Sequence, residues 1–267
     1  MLLPRIIPCI LVKDRGLVKT VKFNNYKYVG DPINAVKIYN EKCVDELVVL
    51  DIDSFAKKND PNYKMISHLA MESRMPLCYG GGIKTLDEAT KILSMGVEKI
   101  ALSSSIINNH NLIKDIAEVS GRQSVVVVLN VKKKRFGNKY DLFIKNGKIK
   151  TGLNPIQFAK KVQRLGCGEI IINSIDNDGV MKGYDFKLIE QIRNSVSIPI
   201  TALGGAGTLD DIGLVIQKFG VIGVAAGSIF VFKGKYKAVL INYPNAVEKD
   251  NLLKKYFQSY VSDNTKS

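Results

Sequence analysis

Two segments of this chain, 123 residues apart, are versions of one another. "MPLCYGGGIKTLDEA" (75–89) and "IPITALGGAGTLDDI" (198–212) align without a gap, matching Pro76 to Pro199, Gly81 to Gly204, Gly82 to Gly205, Thr85 to Thr208 and Asp87 to Asp210. The offset also carries backwards, pairing "DELVVLDID" (45–53) with "GEIIINSID" (168–176) and Pro32 with Pro155. After a one-residue slip it pairs Gly96 with Gly220 and Ser104 with Ser228. A chain whose halves copy one plan builds its fold from two like pieces around a shared core.

Each half alternates extended and helical patterns. Strand-like runs fall at 5–12, 46–52, 76–80, 98–103, 124–131, 169–175, 199–203 and 221–226. Between them lie helical patterns such as "PINAVKIYNEKC" (32–43) and "TLDEATKILSMG" (85–96), the latter opened by a Thr cap and closed by Gly. Eight β-rich runs alternating with helices predict an α/β fold, a (β/α)8 TIM barrel of two duplicated half-barrels over residues 1–232. An open doubly wound sheet explains the copying less well. Residues 233–267 form a basic C-terminal extension, helical towards its end, with "VSDNTKS" (261–267) as a frayed tail.

Such barrels carry their chemistry at the carboxyl ends of the strands. Glycine there lets backbone approach an anion, and the turn that follows offers free N–H groups. Gly81, Gly82, Ser103 and Ser104 make one candidate phosphate pocket; Asp178, Gly179, Gly204, Gly205, Gly227 and Ser228 make its counterpart. A single Gly-Gly pair is often only a tight turn. Two copies with hydroxyls at matching positions suit a phosphorylated small molecule with two phosphates.

The net charge of +14 raises the question of nucleic acid. The lysines are dispersed along the chain, the densest cluster being "KKKRFGNK" (132–139) in a hairpin loop, and no nucleic-acid-binding module is recognisable. Phosphorylated ligands or an acidic partner protein account for the charge, and no nucleic-acid partner is expected. No apolar run is long enough to span a membrane, and the start "MLLPRIIPC" lacks the features of a signal peptide, so a cytoplasmic protein is expected. Cys9, Cys43, Cys78 and Cys167 stand singly in apolar or helical contexts and are expected to be reduced core thiols. None has metal-ligand spacing, so neither a metal nor a cofactor is expected.

"RIIPC", "VVLDID", "GGGI", "SIDNDGVMKGYD", "GGAG" and "AAGSIF", in that order, resemble the HisF family, the cyclase subunits of imidazole glycerol phosphate synthase, over about residues 1–232. The resemblance implies a glutaminase (HisH-like) partner that releases ammonia, and passage of that ammonia through the barrel to a phosphorylated ribonucleotide at the far mouth. Family cyclisation uses two aspartates, at the ends of strands 1 and 5. This chain has Leu11 and Asn130 there, neither of which exchanges a proton. The resemblance therefore points away from ordinary cyclase chemistry. Divergent members are associated with bacterial surface-sugar synthesis, where ammonia goes to a separate sugar amidotransferase.

The family gates its ammonia passage with a ring of four charges, and Arg5, Glu46, Lys99 and Glu169 match it. A purely structural ring is the plain alternative. Above it, Leu50, Cys78, Ala101 and Val126 point inward as a narrow apolar path, and Glu98 is placed at the glutaminase contact. Lys19 matches a family lysine linked to substrate binding, or is an ordinary solvated charge. The segment holding it, "KDRGLVKTVKFNNYKYVGDP" (13–32), reads as a mobile lid. Asp51 and Asp176 are the acids left at the mouth for any residual proton transfer. His68 and His110 lie in helical or loop contexts and form no Cys–His nucleophilic pair. Two other functions stay open: a genuine cyclase using Asp51 or Asp176, and a phosphate-ligand sensor that regulates the glutaminase.

Overall fold

A computed structural model describes residues 2–54, 60–134 and 139–264. Eight strands, β1 (Arg5–Lys13), β2 (Leu47–Asp51), β3 (Leu77–Gly80), β4 (Lys99–Leu102), β5 (Val125–Lys133), β6 (Glu169–Ser174), β7 (Ile200–Leu203) and β8 (Gly223–Ala226), pair in parallel in that order. Arg5 of β1 then registers with Gly223 of β8 and closes the barrel. Helices α1 (Pro32–Glu41), α2 (Tyr63–Glu72), α3 (Leu86–Ser94), α4 (Asn111–Ser120), α5 (Pro155–Arg164), α6 (Phe186–Arg193) and α7 (Leu209–Phe219) connect successive strands.

The repeat is visible in how the helices start. Asp31 caps α1 and Asn154 caps α5, each followed by a proline whose missing N–H costs nothing in a first turn. Thr85 with Glu88 and Thr208 with Asp211 form reciprocal capping boxes on α3 and α7. Alternation along the strands then separates two cores. Side chains such as Ile6, Ile10, Val49 and Ile172 face the helices. Ile7, Cys9, Val48, Cys78, Ala101, Val126, Val128, Ile171, Leu203 and Ala225 fill the barrel, with Leu50 packed against them.

Residues 13–32, expected as a mobile lid, are built as regular structure up to α1. Gly16–Val21 and Asn24–Gly30 form an antiparallel hairpin that continues β1, with Leu11 opposite Val18. The apolar faces of Leu17 and Val18 are buried in that pairing, which local composition does not reveal. The repeat-equivalent excursion after β5 is also paired, Tyr140–Ile144 against β5 and Ile149–Lys150 outside it. Of the basic cluster at 132–139, residues 135–138 lie outside the described residues; its flanks pair, Lys133 opposite Tyr140.

The C-terminal extension packs on the barrel's flank. A short hairpin, Phe232–Lys233 with Ala238–Val239, leads to α8 (Ala246–Asn264) alongside α7. The rings of Tyr256 and Tyr260 lie over Gly213 and Gly220, where any side chain would overlap them. Tyr256 Oη donates to Asp210 Oδ1 at 2.6 Å, Tyr243 Oη donates to the Ile6 carbonyl at 2.9 Å, and Lys249 pairs with Asp45. Of the tail 261–267 expected to fray, residues 261–264 continue the helix, with Val261 packed against the core, and residues 265–267 lie outside the described residues. Cys9, Cys78 and Cys167 are buried, but Cys43 is exposed, correcting its expected place in the core. It sits beyond the end of α1 with φ of +51°, turning the chain towards β2. Among the described residues no helix is long and apolar enough to cross a membrane.

Candidate functional site

Closure brings the strand ends together around a cavity of about 350 Å³. All ten candidate phosphate-binding residues line it: Gly81, Gly82, Ser103, Ser104, Asp178, Gly179, Gly204, Gly205, Gly227 and Ser228. Short 3-10 turns, Ser105–Ile107 and Ser228–Phe230, begin at its wall on the β4 and β8 sides. Gly205 has φ of +128°, and a side chain there would overlap the Gly183 carbonyl. Only glycine fits that turn.

Leu11 and Asn130 also face the cavity. Asn130 is held as an amide: its Nδ2 donates to Ser103 Oγ at 3.1 Å, and its Oδ1 accepts from Asn173 Nδ2 at 3.2 Å. Asn173 was not anticipated. It is buried and lines the cavity, and its Oδ1 has no partner among the described residues. Inward alternation from Glu169 through Ile171 would have found it.

The two acids put forward at the mouth part ways. Asp51 lines the cavity, but its Oδ1 accepts the N–H groups of Asp53 and Ser54 at 2.9 and 3.0 Å, and Ser54 Oγ donates to its Oδ2 at 2.5 Å. Asp176 does not line the cavity; its Oδ2 accepts the Lys133 N–H at 2.8 Å. Asp178, two residues on, takes the inward place. It accepts from Thr20 Oγ1 at 2.8 Å and from the Phe23 N–H at 3.3 Å, tying the first hairpin to the end of β6. Burial raises its carboxyl above the ordinary aspartate value, against the pull of Lys19.

Lys19 is buried and not the solvated charge that was its plain alternative. Its Nζ donates to the Cys9 carbonyl at 3.1 Å and lies against Gly227, where a side chain would overlap it. Burial lowers its pKa. The first hairpin thus delivers an amine to the β8 side of the cavity, beside Ser228.

At the opposite end, the four ring residues meet. Arg5 pairs with Glu46 and, at 2.7 Å, with Glu169; Lys99 Nζ lies 2.9 Å from both Glu46 Oε1 and Glu169 Oε2. The charges alternate around the axis. Thr201 adds a bond to Glu169 Oε1 at 2.6 Å. Burial alone would raise the Glu169 carboxyl, but Arg5 and Lys99 outweigh it and hold it at about 2. Between ring and mouth lies the apolar interior that contains Leu50, Cys78, Ala101 and Val126. Glu98 is exposed at the same end as the ring, its Oε2 accepting the Leu77 N–H at 2.5 Å. His68 lies exposed on α2 and His110 begins α4, far apart in the fold's order of elements.

The profile of the family described as "Histidine biosynthesis protein" matches residues 5–237. A Vibrio vulnificus protein named "Putative imidazole glycerol phosphate synthase subunit hisF3" is 54% identical over 253 residues, covering 95% of this chain and 97% of its own. A Pseudomonas aeruginosa protein whose name gives it as subunit hisF2 is 49% identical over 246 residues, covering 92% and 98%. The HisF subunit of Clostridium botulinum strain Okra is 40% identical over 233 residues, covering 87% and 92%. The chain belongs to the histidine biosynthesis protein family and, within it, is a HisF-like (β/α)8 barrel.

Proposed function

We propose that this barrel docks a HisH-like glutaminase at the amino ends of its strands and carries ammonia along its axis. The ammonia goes to a sugar amidotransferase of surface-polysaccharide synthesis, and the barrel itself performs no cyclisation. The observation that carries this reading is the pair Leu11 and Asn130 at a cavity that otherwise keeps every candidate phosphate residue. Proton shuttling during ring closure needs a group that titrates near neutrality within reach of the substrate. The carboxylates at the cavity, Asp51, Asp53 and Asp178, are each tied by hydrogen bonds to the fold. The charged ring and the uncharged interior above it support a path for neutral NH₃, because a cation entering the apolar interior would lose its hydration without a partner. Repetition of Gly81, Gly82 and Ser104 as Gly204, Gly205 and Ser228 in the chain's second half supports a phosphorylated ligand at the mouth.

The test supplies the natural protein with the phosphorylated ribonucleotide cyclase substrate and ammonium salt, and follows loss of substrate. No turnover is expected. Robust turnover would overturn the conduit reading and promote a carboxylate of the cavity to catalyst. With glutaminase and amidotransferase added, amide-labelled glutamine should transfer its nitrogen to the sugar even against excess unlabelled ammonium.

A further inference from the structure

The chain's excess positive charge, dispersed along the sequence, falls in three segments at one end of the barrel. Residues 13–30 hold five cations and one acid, residues 132–150 eight and one, and residues 233–237 three and none. Together these three segments account for the entire net charge of +14; everywhere else cations and acids balance. The described residues of each segment belong to a hairpin region following the carboxyl end of a barrel strand, β1, β5 or β8, so all three border the mouth. They also touch one another. Phe23 of the first packs over Gly147 of the second, and Lys27 Nζ stands 5.5 Å from the ring centroid of Phe232, the residue that opens the third hairpin.

A small phosphorylated ligand needs only the cations that line the cavity, Lys13, Lys19 and Lys148. Lys22, Lys27, Lys132, Lys133, Lys235 and Lys237 do not line it. All six are exposed, and none has a carboxylate within ion-pair distance among the described residues. Tyrosines stand among them, Tyr26 59%, Tyr28 67% and Tyr236 91% exposed. Exposed tyrosine beside unpaired cations is the composition of a recognition surface, the aromatic supplying contact area and the charge supplying steering.

From this placement we infer that the hairpin rim is the docking surface for an acidic face of the ammonia-accepting protein. The inference rests on the conduit reading, because ammonia leaving an uncovered mouth would be lost to solvent. The occupant must therefore cover the cavity as well as meet the lysines. A folded protein with an acidic collar around its own entrance does both, whereas a bilayer or a nucleic-acid strand answers only the charge.

The experiment uses the purified complex of this chain with its glutaminase, and the purified sugar amidotransferase as probe. Two variants, Lys22→Glu with Lys27→Glu and Lys235→Glu with Lys237→Glu, alter only exposed side chains. Amidotransferase binding to the natural complex should weaken about tenfold or more between low and physiological salt, and each variant should cost about tenfold at fixed salt. Glutaminase attachment, at the opposite end, should not change. Equal binding by natural and variant complexes would overturn the docking surface. So would lysine-dependent binding to a single-stranded RNA or to phosphatidylserine vesicles that exceeds binding to the amidotransferase. Labelled nitrogen transferred normally by both variants would remove the surface and leave the conduit standing. Lysine-dependent binding without any transfer would support the surface and remove the conduit.

Discussion

Asn130 and Asn173 stand directly opposite one another on β5 and β6, joined by a hydrogen bond from Asn173 Nδ2 to Asn130 Oδ1 at 3.2 Å. A carboxylate at position 130 could accept the same bond, so Asn130→Asp keeps this contact. Leu11→Asp places a charge opposite Val18 and Leu50, where an alkyl chain now packs. It should lower stability by about 1–3 kcal/mol in a thermal melt. The double variant should gain a trace of cyclase turnover with ammonium salt, against none in the natural protein. A double variant that binds substrate but stays inactive would mean that more than these two residues separates this mouth from cyclisation.

The charged ring makes a pH prediction. Glu169 is held at about 2, below its ordinary value of 4.5. The unfolded chain therefore takes up a proton at higher pH than the folded one. This contribution is complete above about 4.5 and is lost as pH falls towards 2. Glu169→Gln should flatten that limb of the stability curve. Lys99→Met, which leaves two buried carboxylates facing Arg5 alone, should cost about 3 kcal/mol at neutral pH by denaturant titration. An unchanged midpoint would show that the ring contributes little to folding.

Lys19 exchanges stability for position. Its buried amine has one hydrogen-bond partner, the Cys9 carbonyl, among the described residues. Its lowered pKa means the folded state resists the charge, so stability from this group rises as pH climbs towards the ordinary lysine value of 10.5. Lys19→Met should remove that dependence and raise the melting temperature at pH 7. It should also weaken binding of a phosphorylated ligand about tenfold, the scale of one charge-assisted hydrogen bond. A variant that loses stability and keeps its affinity would refute the assignment.

The paired glycine mouths should bind anions whether or not the barrel cyclises anything. Calorimetry with a sugar bisphosphate should give a measurable affinity in the natural protein. Gly205→Ala, at φ of +128° and against the Gly183 carbonyl, should cost about 1–3 kcal/mol of stability and abolish binding on the β7–β8 side. No affinity for any phosphorylated compound would leave both pockets as turns.

The barrel is legible in the order of residues alone, because the cues for it are local or repeated. Strand alternation, the Thr85 and Thr208 caps and the 123-residue offset each involve near neighbours or a copy of them. The same alternation aimed Arg5, Cys78 and Ala101 inward, and a closed sheet leaves them no other face. What the sequence left open was decided by contacts between residues far apart along the chain. Asp176 and Asp178 share one short loop; the bonds from Thr20 and Phe23, more than 150 residues away, hold Asp178 at the cavity. For Lys19 the sequence leaves a binding amine and a solvated charge both open, and the hairpin that folds it against Gly227 removes the second. Val261 continues a helix only because α8 packs on the barrel. The hairpin lysines illustrate it most plainly: separated by a hundred residues in the chain, they share one rim because barrel closure brings the carboxyl ends of all eight strands to the same face.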